Sequence, residues 1–191
     1  MSDAEPTHPA TRPSGLGDDA ASDHLVGAAV PALRLESTAG PVDLAELAAD
    51  LLVLFIYPHA TGLPDAPVPG WDQIPGARGC TSQSCAFRDE HDRLGGLGAA
   101  LAGLSVQTVE EQRSFAERIG VRYRLISDPD RQLAEALTLP TFTAAERTFY
   151  KRLTLIARRT HIVKVFYPVE LPERNATDVI EWLQTDPDHV P

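Results

Sequence analysis

The run Leu-Leu-Val-Leu-Phe-Ile-Tyr at 51–57 is seven apolar residues without a break, and it stops at Pro58. With no polar alternation, it predicts a strand buried on both faces. Such a strand lies inside a sheet with helices over it. The 191 residues are enough to bury the core this needs without cross-links or metals. The same run is far short of the roughly 18 to 20 residues that span a bilayer, so no membrane segment is expected.

The flanking sequence supplies the other elements. Residues 43–50 (DLAELAAD) predict a short helix capped by Asp43, and 81–94 (TSQSCAFRDEHDRL) predict a longer one stopped by Gly95 and Gly96. A strand follows at 99–106. Thr108 with Glu111 three residues on forms a capping box for a helix that ends near Gly120. A strand at 125–127, an Asp128-Pro129-Asp130 turn and a short helix at 131–137 come next. Residues 152–157 and 160–168 are rich in β-branched side chains and predict a hairpin, and Asn175 with Asp178 opens a last helix running to about Gln184. This order predicts an α/β fold, a central mixed sheet flanked by helices, with sites at the C-terminal ends of the parallel strands. Phe149, Tyr150, Phe166 and Tyr167 fit core or sheet packing.

The domain is expected at 25–184. Residues 1–24 are rich in Pro, Ala, Ser and Asp and bury too little to offset ordering, so a disordered N-terminal tail is expected, with a C-terminal tail at 185–191. Residues 59–77 hold Pro64, Pro67, Pro69 and Pro75 around Trp71, which predicts a long structured loop that covers or shapes a site.

Lys plus Arg number 17 against 27 Asp plus Glu, a net charge of −10, which repels phosphate backbones and anionic lipid surfaces. Neither nucleic acid nor membrane is expected as a partner. Asp3 and Glu5 stand where a secretory signal carries positive charge, so a cytoplasmic location is expected. The six histidines form no metal spacing with either cysteine or with each other, and no glycine-rich phosphate loop is present. No metal or cofactor is expected.

The chemistry concentrates in Gly79-Cys80-Thr81-Ser82-Gln83-Ser84-Cys85. A cysteine in the first turn of a helix faces unpaired backbone N–H groups and the positive end of the helix dipole, both of which stabilise a thiolate. The thiolate is the nucleophile. Cys85 lies five residues on in the same predicted helix, where ideal geometry separates the two Cα atoms by about 8.6 Å. A disulfide tolerates no more than about 7 Å. The spacing therefore disfavours a permanent bridge. It suits a transient one, with Cys80 oxidised to sulfenic acid, attacked by Cys85 and then reduced by an outside thiol.

The stretch YPHATG…GCTSQSCAFRDEHDRL, with its C-T-x-x-x-C pair followed by F-R-D, resembles the active-site segment of peroxiredoxins, on the bacterioferritin-comigratory or Q-type branch. The order of elements from about Leu25 to Leu183 follows the same pattern. The resemblance implies a thioredoxin-like fold and reduction of hydrogen peroxide or organic hydroperoxides. Cys80 would be the peroxidatic residue, Cys85 the resolving one, and thioredoxin or a similar dithiol the reductant. It also implies an arginine beside the sulfur, at Arg152, whose fixed charge stabilises the thiolate and the departing oxygen. One position departs from the family: its threonine three residues before the cysteine is Ala77 here, and the loop separates Pro58 and Thr61 from Cys80, so either the loop folds back and Thr61 supplies the hydroxyl or another group does. His59 could serve as a base, but a thiolate already formed needs none. Arg78 and Arg88 read as solvated or paired charges. The alternative is a non-catalytic redox sensor or interaction module on the same fold. Thiol-disulfide exchange without peroxide is disfavoured, since its usual pair is the shorter C-x-x-C.

Overall fold

In chain order the elements are β1 (Arg34–Ser37), β2 (Val42–Asp43), α1 (Leu44–Leu47), β3 (Leu51–Ile56), α2 (Cys80–Asp89), α3 (His91–Gly96), β4 (Ala100–Ser105), α4 (Val109–Ile119) and β5 (Arg124–Ser127). They continue with α5 (Gln132–Leu137), β6 (Thr141–Ala144), β7 (Arg147–Tyr150), β8 (Leu153–Arg158), β9 (His161–Phe166) and α6 (Asn175–Thr185). The structure is a computed structural model and describes residues 19–60 and 68–186.

The apolar run is β3, and every residue in it is buried. The seven-stranded sheet runs β2-β1-β5-β4-β3-β8-β9. β3 lies parallel to β4 and antiparallel to β8, with Val53 opposite Leu101 on one side and Ile156 on the other. Its alternation divides the core in two. Leu52, Leu54 and Ile56 pack on one face with Leu133 and Phe149, while Val53, Phe55 and Tyr57 pack on the other with Phe87, Phe115 and Ile180. Burying each such large apolar side chain stabilises the fold by about 1.5–3 kcal/mol. On the second face Phe55 stacks on Phe87 of α2 at 4.5 Å between ring centroids, which seats α2 directly on the central strand.

Side-chain caps fix the helix starts. Asp43 accepts from the amides of Ala45 and Glu46 ahead of α1, and Thr108 and Glu111 form the reciprocal capping box of α4. The buried Asp128 carboxylate accepts from the amides of Gln132 and Leu133 at 2.9 and 3.0 Å and from the Tyr150 hydroxyl at 2.6 Å. That ties α5 to β7.

The structure differs from the sequence reading in several places. The fold begins before Leu25: Asp19–Leu25 wind a 3-10 helix, and His24 Nε2 lies 2.9 Å from the Leu137 carbonyl oxygen. At the other end α6 includes Thr185, and Asp186 pairs with Arg158 at 2.7 Å, so the 185–191 tail loses its first two residues to the domain. The single helix at 81–94 is two, α2 and α3, meeting at Glu90. No glycine or proline marks that break. The pairs β1–β2 and β6–β7 are not among the elements that the sequence predicts. Ala145 and Glu146 make the β6–β7 turn with φ of 46° and 61°, without the Gly or Asn that usually signals such a turn. Of the 59–77 loop, 61–67 lie outside the described residues. The rest carries a short 3-10 turn, Trp71–Gln73, with Trp71 buried against Phe149 at 5.1 Å.

Gly103 of β4 lies between two large side chains: a Cβ there would sit 2.6 Å from Phe55 Cζ and 2.8 Å from Leu125 Cδ2. Gly103→Ala should therefore destabilise the protein by about 1–3 kcal/mol through overpacking. Urea unfolding reads this as a lower midpoint, and an unchanged midpoint contradicts it.

Candidate active site

Cys80 is the first residue of α2, at the C-terminal side of β3, and its sulfur is buried. Gly79 precedes it as N-cap with φ 99°, a conformation that disfavours any side chain. Space imposes the same choice, because a Cβ on Gly79 would lie 2.6 Å from Pro172 Cγ. The cap thus presents bare first-turn amides beside the sulfur, with no side-chain hydrogen bond of its own. The thiol is placed to donate to the Ala77 carbonyl at 3.6 Å.

Arg152, one residue before β8, reaches the sulfur. Its Nη2 lies 3.3 Å from Cys80 Sγ and also donates to the Arg78 carbonyl at 2.8 Å. Its Nη1 donates to Gln83 Oε1 at 2.5 Å. Gln83 Nε2 in turn donates to Asn175 Oδ1 at 2.9 Å, and the Thr154 hydroxyl donates to the same oxygen at 2.6 Å. All of these side chains are buried, Arg152 at 4% exposure. The guanidinium is therefore held jointly by α2, β8 and α6. Among the described residues no carboxylate pairs with it; its acceptors are carbonyl and amide oxygens and the sulfur. Of these acceptors the Cys80 sulfur is the one that is not a carbonyl or amide oxygen.

Around this centre the chain is pinned. The Gln107 side chain accepts from the Ala60 amide at 2.8 Å and donates to the Ala60 carbonyl at 3.3 Å, fixing the segment that leaves β3. The buried Tyr57 phenol is held well above the usual tyrosine range, first by burial and next by the charge of Cys80. It stays neutral and donates to Gln112 Oε1. His59 packs its ring against Trp71 and Phe149, with centroids 5.8 and 5.9 Å away. Arg78 pairs with Asp72 at 2.7 Å on the surface, and Arg88 with Asp89 at 2.8 Å.

Cys85 is half-buried in the same helix, and both cysteines are free thiols. The structure thus brings Cys80 and Arg152 into contact and leaves Cys85 further along α2. Thr61 lies outside the described residues. Among the described residues no group of three or more His, Cys, Asp and Glu side chains could hold a metal. The sequence reading missed Gln83, Asn175 and Tyr57. Gln83 carried a signal, since it stands three residues after Cys80 and so on the same helical face. Asn175 reads in the sequence only as a helix opener.

Residues 74–165 match the AhpC/TSA family. The chain is 26% identical over 161 residues to the chloroplastic peroxiredoxin Q of Sedum lineare, covering 83% of this chain and 77% of that protein. It is 28% identical over 139 residues to peroxiredoxin Bcp of Bacillus subtilis, covering 72% of this chain and 77% of that one. The crystal structure of peroxidoxin BcpB from Mycobacterium tuberculosis superposes with a TM-score of 0.67 at 25% identity, over 83% of this chain and 96% of that one. The Xanthomonas campestris peroxiredoxin Q structure shares the fold, with a TM-score of 0.65 at 22% identity over 81% and 94% of the two chains. Residues 74–165 thus carry an AhpC/TSA domain, and the helix-start cysteine on a thioredoxin-like sheet together with these relatives supports a peroxiredoxin-type peroxidase similar to the Q and Bcp proteins.

Proposed function

We propose that the protein reduces hydrogen peroxide or small organic hydroperoxides through Cys80, resolves the product with Cys85, and is recycled by thioredoxin or a similar dithiol in the cytoplasm. The observation that carries this reading is the buried Arg152 guanidinium, 3.3 Å from Cys80 Sγ and without a carboxylate partner among the described residues.

The first step is displacement on oxygen. The Cys80 thiolate attacks one peroxide oxygen, an S–O bond forms, the O–O bond breaks, and the other oxygen leaves as alkoxide or hydroxide and takes up a proton. Sulfur is oxidised by two electrons to the sulfenic acid, and the hydroperoxide is reduced to alcohol or water. Arg152 is suited to the negative charge that passes from sulfur to the leaving oxygen, because its position is fixed before the reaction begins. Its Nε is buried and, among the described residues, without a hydrogen-bond partner, which leaves one donor for a substrate oxygen. In this reading Thr61 stays the candidate hydroxyl. Next, the Cys85 thiolate attacks the sulfenic sulfur: the S–S bond forms, the S–O bond breaks, and hydroxide leaves as water after gaining a proton. The dithiol then reduces the disulfide and is itself oxidised to one.

Variants of the two cysteines test the assignment of roles. Cys80→Ser should abolish dithiol-dependent peroxide consumption, whereas Cys85→Ser should consume one equivalent and leave Cys80 as a sulfenic acid, detected by trapping and mass spectrometry. Turnover that survives without Cys80 overturns the mechanism. Arg152→Met should slow oxidation of Cys80 by about 10²- to 10³-fold. Gln83→Leu, which takes away the Nη1 acceptor, should slow it by about tenfold. Equal rates in wild type and Arg152→Met, measured by stopped flow, would remove the arginine from the reaction and favour the non-catalytic sensor.

A further inference from the structure

The reaction proposed above asks α2 to be wound in one step and open in the next. While Cys80 reacts, the first turn must be intact, since Gln83 within it positions Arg152. To form the disulfide the helix must open, because about 8.6 Å between Cα atoms is too far for an S–S bond. Arg152 and Asn175 hold Gln83 from two sides. Beyond Cys85, Phe87 is buried on Phe55 and Arg88 Nη1 donates to the Ile119 carbonyl at 2.5 Å. The stretch left to turn is 84–86, and it begins at Ser84.

Two observations meet at that residue. The buried Tyr123 hydroxyl donates to the Ser84 carbonyl at 2.8 Å, while the Tyr123 ring stands edge-on to Phe55 at 5.6 Å and to His91 at 5.9 Å. The Ser84 hydroxyl itself is fully buried and, among the described residues, has no hydrogen-bond partner. The bond favours the wound helix. The orphaned hydroxyl opposes it, because a buried donor without a partner has given up its water contacts and regains them on opening.

We propose that Tyr123 and Ser84 are positioning residues for the resolving step: the Tyr123 hydroxyl latches α2 wound between the two cysteines, and the Ser84 hydroxyl primes it to open. This rests on the peroxidase reading. Neither group touches the Cys80 sulfur or the peroxide in this role; they set how often Cys85 reaches the sulfenic sulfur, while the bonds formed and broken remain those given above.

Rapid-quench alkylation with mass spectrometry separates sulfenic acid formation from disulfide formation. Tyr123→Phe keeps the ring contacts and should speed disulfide formation by about fivefold to tenfold, the factor carried by one ordinary hydrogen bond. The peroxide-dependent phase should not change, and more peroxide should be needed to drive Cys80 on to sulfinic acid. Ser84→Ala should slow disulfide formation by a similar factor. Amide hydrogen exchange at 84–86 in the reduced protein should follow the same order, faster in Tyr123→Phe and slower in Ser84→Ala. General loosening of the fold would move both variants the same way, so shifts of one sign, or none, overturn the proposal. A wild-type protein with no peroxide-dependent phase overturns the peroxidase reading itself and this proposal with it, and that failure is visible in the first phase alone.

Discussion

The contact between Arg152 and Cys80 organises this protein. Burying a guanidinium costs several kcal/mol unless hydrogen bonds and a counter-charge offset it. The fold supplies the hydrogen bonds from backbone carbonyls at 76–78 and from Gln83, and sets one guanidinium nitrogen against the sulfur. In the proposed mechanism this arrangement also prepares the nucleophile. Three elements have to come together for this: β8 brings the arginine, α2 brings the cysteine and Gln83, and α6 brings Asn175 to orient Gln83. None of them contains the site alone.

The apolar strand is what allows them to meet. β3 places α2 over its C-terminal side through the Phe55–Phe87 stack, and its antiparallel pairing with β8 sets Ile56 opposite Leu153, next to Arg152. Gly79 completes the geometry by letting the chain turn into α2 with Pro172 close behind it. The same ten-residue helix carries Cys80 at its start and Cys85 five residues on.

Much of this was legible in the sequence because it rests on local patterns. The unbroken run at 51–57, the Thr108–Glu111 capping box and the cysteine at a helix start each follow from neighbours within a few residues. The resemblance brought Arg152, and the structure places its Nη2 on the sulfur. What could not be read depends on contacts far apart in the chain. The bond from Gln83 to Asn175 spans 92 residues, and nothing local distinguishes that asparagine from an ordinary helix start. The β6–β7 hairpin escaped for another reason: its positive-φ turn uses Ala145 and Glu146, which packing of Phe142 and Phe149 against Trp71 must hold in place.

The rate constant for oxidation of wild-type Cys80 by hydrogen peroxide, measured by stopped flow beside free cysteine at the same pH and ionic strength, bears most directly on the claim that the fold has prepared this sulfur. A preorganised cation and helix start predict a reaction faster by at least about 10³-fold. A rate equal to that of free cysteine would mean that the buried arginine gives the sulfur no advantage, and would contradict the account.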